Sequence, residues 1–108
     1  MKLPTEVFGE VVVVHTPEEL GADTAEELEK FLTTLERHNV IVDLDGSETI
    51  ESGGLEAVLA AQEALRALQG DLKISTSNPA NRKILEITRL DQHLEVFDTV
   101  IDAVKSFA

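Results

Sequence analysis

Residues 40–44, Val-Ile-Val-Asp-Leu, are apolar at all but one position, and this run constrains the fold more than any other. Apolar side chains on both faces are typical of a strand in the middle of a parallel sheet, where helices cover both faces. Residues 11–14 are four consecutive valines and predict a second buried strand. These two strands are therefore expected to form the centre of the fold.

The rest of the chain alternates strands with helices. Further strands are predicted at residues 7–8, 72–76 and 94–97, and helices at residues 24–37, 53–69, 79–89 and after Asp98. The order β-β-α-β-α-β-α-β-α predicts an α/β fold, with four helices on a mixed, mostly parallel sheet of four to five strands. The 108 residues are expected to form a single domain, residues 1–108.

Residues that commonly end helices mark the predicted boundaries. The expected N-caps are Asp23, Ser52, Asn78 and Asp98, and Gly70 is expected to follow the second helix as its C′ residue. Helical spacing in the third helix predicts that Ala80, Ile84 and Ile87 face the core. The alternation in residues 72–76 predicts a strand that is covered on one face only.

The net charge indicates which classes of partner this chain can bind. Nine Lys and Arg against 21 Asp and Glu give a formal net charge of −12, which disfavours nucleic acid and anionic membrane surfaces. The same charge favours a partner with a basic docking face. There is no Cys, the longest apolar run has five residues, and the first residues lack the apolar stretch of a signal peptide. A cytoplasmic protein without direct membrane binding is expected.

The loop after the central strand is the richest candidate site. Function in such folds gathers at the carboxyl ends of strands. Ser52 lies in this loop at the start of a predicted helix, where free N–H groups and the helix dipole favour negative charge. A phosphate on Ser52 would be tolerated and displayed there. The alternative is that Ser52 only caps the helix.

Candidate metal, cofactor and catalytic sites are weaker than the Ser52 loop. The acids Asp43, Asp45, Glu48 and Glu51 could gather around a hard cation, but we expect solvated loop acids, because nothing in the sequence fixes their mutual geometry. The three histidines follow no ligand spacing, and no phosphate-binding glycine loop is present. Ser52 has no evident base for a hydrolase. We therefore expect neither an enzyme nor a metal or cofactor protein.

Three segments resemble one known family. Residues 51–55, Glu-Ser-Gly-Gly-Leu, are similar to the motif Asp-Ser-Ser/Thr-Gly-Leu of the STAS domains, and in particular of stand-alone bacterial anti-sigma factor antagonists. Residues 24–28 resemble the opening of the family's first helix, and residues 79–90 resemble the family's segment Pro-x-x-(x)-Arg/Lys-x-Leu-x-x-(Ser/Thr)-Gly-Leu. Four positions differ from the family pattern: Gly21 and Glu51 replace aspartates, Gly53 replaces a Ser or Thr, and Glu56 replaces a small residue.

The resemblance implies a STAS fold and a switch protein. Such a protein binds an anti-sigma factor, often a GHKL-type serine kinase, and thereby frees the sigma factor. The kinase phosphorylates the serine, which is Ser52 here, the partner is released, and a serine phosphatase resets the switch. The expected contact residues are Glu51, Ser52, Gly53, Gly54 and Glu56, on a monomer or weak dimer. The alternative is an accessory subunit of a lipid transporter or a stressosome-like scaffold.

Overall fold

The central strand is confirmed by the computed structural model, which describes all residues from Met1 to Ala108. The main sheet has five strands in the order β1-β2-β4-β6-β7. Their bounds are Thr5–Phe8, Val11–His15, Asn39–Asp43, Asp71–Ser75 and Val96–Phe97. Strand β1 is antiparallel to β2 and all other neighbours are parallel. The predicted mixed, mostly parallel sheet is therefore present, with β4 in its middle.

Four helices cover both faces of this sheet, as predicted. They are α1 (Ala25–Thr33), α2 (Ser52–Ala67), α3 (Pro79–Ile87) and α4 (Val100–Lys105). Side chains that alternate along the strands separate the two faces. One face, which includes Val12, Val40 and Val42, packs with α1, α2 and α3, and the other, which includes Val13 and Ile41, packs beneath α4.

A second sheet of two short strands was not predicted. Strand β3 (Glu19–Leu20) pairs in parallel with β5 (Thr49–Ile50), in segments expected to be a connection and a loop. Strands of two residues carry no periodicity, so the sequence gives no local signal for them. Their pairing holds the turn before α1 against the loop before α2.

Four of the predicted helix ends are wrong, including the one at Ser52. Asp23 lies inside a short 3-10 helix (Ala22–Thr24) that precedes α1, and Thr99 rather than Asp98 caps α4. At the end of α2, Gln69 takes the left-handed conformation with φ 66°. The amides of Gln69 and Gly70 donate to Arg66 and Leu65, which completes a Schellman motif one residue earlier than expected.

Two predictions of which faces are buried are also wrong, one for α3 and one for strand β6. The inward face of α3 carries Asn81 and Leu85, while Ile87 is 70% exposed and Ala80 is exposed. The buried Asn81 donates to the Leu44 carbonyl at 3.3 Å, so a polar residue takes a core-facing position. Strand β6 is covered on both faces because Lys73, 7% exposed, lies beneath α4 with its ammonium 4.2 Å from the centre of the Phe107 ring.

Candidate functional site

The loop that leaves β4 is fixed by hydrogen bonds to the end of β6. The Asp45 carboxylate accepts from the Thr76 hydroxyl at 2.8 Å and from the amide and hydroxyl of Ser77 at 2.9 and 2.7 Å. Burial opposes ionisation of Asp45, but these bonds outweigh it and lower the pKa of the carboxyl below its ordinary value. The loop is therefore held on one side by a charged side chain.

The other side of the loop is fixed by Ser47. This side chain is buried, its hydroxyl lies 2.6 Å from the Thr16 hydroxyl, and it donates to the Pro17 carbonyl. The Thr16 hydroxyl also contacts the Asp43 carbonyl at 3.1 Å. Ser47 is thus a structural residue, with no surface for a partner or a kinase.

Ser52 is the first residue of α2 and does not cap it. The N-cap position belongs to Glu51, which is extended with φ −106° and ψ 156°, and no side chain caps the helix. The Glu51 carbonyl accepts from the amides of Gly54 and Leu55. Ser52 is exposed, and its hydroxyl has no hydrogen-bond partner in the protein. The prediction of Ser52 as the N-cap is therefore wrong.

The two glycines after Ser52 pack against the turn before α1. A Cβ at Gly53 would lie 2.8 Å from the Ala22 Cβ, and one at Gly54 would lie 2.8 Å from the Leu20 carbonyl oxygen. Gly54 is buried, whereas Gly53 is half-buried and both Glu51 and Glu56 are exposed. Gly54 is thereby removed from the predicted contact surface, because it supports the surface from below.

The surface around Ser52 is built from segments without cations. No Lys or Arg occurs between Lys2 and Lys30 or between Arg37 and Arg66. These segments supply β3, the 3-10 helix, the start of α1, β5 and the start of α2. Their acidic residues in this region are Glu18, Glu19, Asp23, Glu26, Glu27, Glu48, Glu51 and Glu56. The surface around Ser52 is therefore strongly negative.

Three of the four acids considered as cation ligands have hydrogen-bond partners of their own. Asp43 bonds His15, Asp45 bonds Ser77, and the Glu51 carboxylate accepts from the Ala22 amide at 3.4 Å. No three His, Cys, Asp or Glu side chains are arranged to hold a metal ion.

His15 forms an arrangement that the sequence did not reveal. Its Nδ1 lies 2.8 Å from the Asp43 carboxylate and its Nε2 lies 2.7 Å from Glu6 on the edge strand. Burial alone would lower the pKa of His15, but the two carboxylates outweigh it and raise the pKa above its ordinary value. Only the register, which pairs His15 with Asp43 across β2 and β4, brings these groups together.

Comparison with known proteins identifies the family. The STAS domain model matches residues 2–103, and the chain belongs to this family. No helix has the length and apolar character needed to cross a bilayer.

Three solved structures illustrate the likeness. An anti-sigma factor antagonist from Mycobacterium paratuberculosis is 26% identical, with a TM-score of 0.83 over 97% of this chain and 92% of that one. The phosphorylated form of the Bacillus cell fate determinant SpoIIAA is 20% identical, with a TM-score of 0.71 over 99% and 100%. A sulfate transporter family protein from Wolinella succinogenes is 19% identical, with a TM-score of 0.79 over 94% and 87%.

Proposed function

We propose that this protein is an anti-sigma factor antagonist that is switched by phosphorylation of Ser52. Unphosphorylated, it binds an anti-sigma factor that is also a serine kinase of the GHKL type, and it thereby frees a sigma factor in the cytoplasm. Phosphorylation releases the partner, and a serine phosphatase restores the binding form. The protein acts as a monomer or weak dimer.

The observation that carries this proposal is the free, exposed hydroxyl of Ser52 at the start of a 16-residue helix. The other hydroxyls of the loop are less suitable. Ser47 is 4% exposed and hydrogen-bonded, and Thr49 lies within β5. The Bacillus relative, which shares the fold, was solved in a phosphorylated form, and this supports the same chemistry here.

The negative charge of the surface limits the ways in which a phosphate on Ser52 could release the partner. Phosphorylation adds about −1.5 to −2 charges at neutral pH. The segments around Ser52 contain no Lys or Arg that would neutralise this charge within the protein. A basic partner surface matched to Glu51 and Glu56 would gain charge attraction, so release must come from the loss of close fit around Gly53. We therefore expect the phosphate to act by its size and its hydration more than by repulsion.

The predicted contact surface consists of Glu51, Ser52, Gly53 and Glu56. It is small and is supported from below by the close approach of Gly54 to Leu20. Its acidity implies a basic rim on the partner, so that association slows as salt screens the charges.

A second candidate function is an accessory role in a transporter. The likeness to the sulfate transporter family protein favours it, because that protein shares the fold at a similar TM-score. In that role the same face would bind a transporter subunit, and modification of Ser52 would not be required.

The experiment that tests the proposal uses matched baits. Wild-type protein, Ser52→Ala and protein with phosphoserine encoded at residue 52 are immobilised, and proteins retained from the native cell are identified by mass spectrometry. A serine kinase is expected on the first two baits and not on the third. That kinase is then incubated with wild-type protein and ATP. Phosphate confined to Ser47 or Thr49, or retention of the same transporter subunit by all three baits, would reject the proposal.

A further inference from the structure

Gly21 and Glu51 occupy one shared space beside Ser52. A Cβ built on Gly21 would overlap the Glu51 carboxylate. The backbone of Gly21 has φ −133° and ψ 178°, an extended conformation that any residue adopts. The lack of a side chain at residue 21 therefore has no backbone reason, and its effect is to leave room for the carboxylate.

In this space the Glu51 carboxylate accepts a hydrogen bond from the 3-10 helix and none from α2. Its Oε1 accepts from the amide of Ala22, the first residue of that helix, at 3.4 Å. The side chain makes no bond to the N-terminus of α2, although Glu51 occupies its N-cap position. The amides of Ser52 and Gly53 consequently have no acceptor within the protein.

We propose that Glu51 is a positioning residue for the switch at Ser52, and that it can take this position only because Gly21 has no side chain. With glycine at residue 21, the carboxylate remains on Ala22 and leaves the first amides of α2 to the side chain of residue 52. A phosphate on Ser52 then meets free N–H groups instead of a competing carboxylate. This inference rests on the proposed function.

A side chain at residue 21 reverses the arrangement. It displaces the Glu51 carboxylate from Ala22, and the free donors next to it in the chain are the amides of Ser52 and Gly53. A carboxylate that caps α2 both occupies these donors and places a negative charge beside the phosphate. The phosphate monoanion is then favoured over the dianion, and its second pKa rises.

The test is a phosphorus NMR titration of protein with phosphoserine encoded at residue 52. The phosphate pKa is compared in the wild-type protein, in Gly21→Ala and in the double variant Gly21→Ala/Glu51→Gln. For Gly21→Ala we expect the phosphate pKa to rise by a few tenths of a unit, less than the roughly half a unit for a charge brought to about 6 Å in water from far away, because the Glu51 carboxylate already lies on the neighbouring residue. The double variant Gly21→Ala/Glu51→Gln removes the displaced charge and should return the pKa to the wild-type value or below. A purely structural role of residue 21 would give no such rescue.

Glu51→Asp provides a second variant that leaves Gly21 untouched. Its side chain is one methylene shorter and cannot reach Ala22, so it is expected to cap α2 and to raise the phosphate pKa as Gly21→Ala does. An unchanged phosphate pKa in both Gly21→Ala and Glu51→Asp would overturn the proposal. The titration needs no partner, so failure of the proposed function is seen separately, as equal partner binding by the wild-type and phosphoserine proteins.

Discussion

The imidazole of His15 lies 2.8 Å from the carboxylate of Asp43, across the carboxyl ends of two parallel strands. The second ring nitrogen contacts Glu6 of the antiparallel edge strand, so one side chain links three strands. Only a protonated ring donates to both carboxylates, which makes this link dependent on pH.

The free energy of unfolding should depend on pH because of this link between His15 and the two carboxylates. The pKa of His15 is raised above its ordinary value of 6.5, so its contribution is fully present below about pH 6.5 and is lost as pH rises through the folded-state pKa. Urea unfolding from about pH 6 to about pH 9 should show wild type losing its advantage over His15→Gln, by less than about 1 kcal/mol because Glu6 is exposed. A difference that stays constant with pH would contradict this account.

Asp45 should show the opposite dependence on pH. Its pKa is lowered, so its contribution is present above the unfolded-state value of 3.8 and is lost as pH falls through the folded-state pKa. At neutral pH, Asp45→Ala should cost about 1 kcal/mol, through loss of the bonds to Thr76 and Ser77. Glu48→Ala is the matched control and should stay within about 0.5 kcal/mol of wild type. Equal losses in the two variants would show that the hydrogen bonds of Asp45 contribute nothing.

Alanine substitutions at the helix N-termini should distinguish Ser52 from the residues that cap a helix. Asn78 accepts from Ala80 and Thr99 accepts from Asp102, so Asn78→Ala and Thr99→Ala should each cost about 1 kcal/mol. Ser52→Ala removes no bond and should leave the free energy of unfolding unchanged within about 0.5 kcal/mol. Chemical denaturation decides this, and a loss in Ser52→Ala as large as in Asn78→Ala would identify Ser52 as a cap.

Lys73 should stabilise the packing of α4. Its ammonium bonds the Ser106 hydroxyl at 2.9 Å and lies over the Phe107 ring, beyond the last turn of the helix. Lys73→Ala should cost about 2 kcal/mol and should speed amide exchange in α4 before the rest of the protein. Lys83→Ala, on the exposed side of α3, is the control. Unchanged exchange in α4 would show that Lys73 does not fix this helix.

The sequence predicted the sheet and the helices because both carry strong periodic signals. Residues 11–14 and 40–42, the apolar parts of two predicted strands, are buried on both faces, as their composition indicates. The pairing of β3 with β5 was missed because two residues carry no period. The face of α3 was assigned wrongly because hydropathy favoured Ile87, whereas the buried position belongs to Asn81, which has a backbone partner in Leu44.

The site was predicted less completely than the fold. The position of Ser52 where the loop after the central strand meets a helix followed from the order of elements. Its role as a cap could not be judged from the residue type, since the neighbouring Glu51 competes for the same position. The contacts of Gly21, Gly53 and Gly54 link segments about 30 residues apart, and such contacts leave no trace in local patterns.

The most direct test of the central claim is a calorimetric titration of the captured kinase with four forms of the protein at low salt. Wild type and Ser52→Ala should bind with equal affinity, and the phosphoserine-52 form should bind at least about tenfold more weakly, a difference of about 1.4 kcal/mol. Ser52→Asp, which carries only part of the charge and none of the phosphate geometry, should lie between them. Equal affinity of wild type and the phosphoserine form, with the fold intact, would show that Ser52 is not the switch.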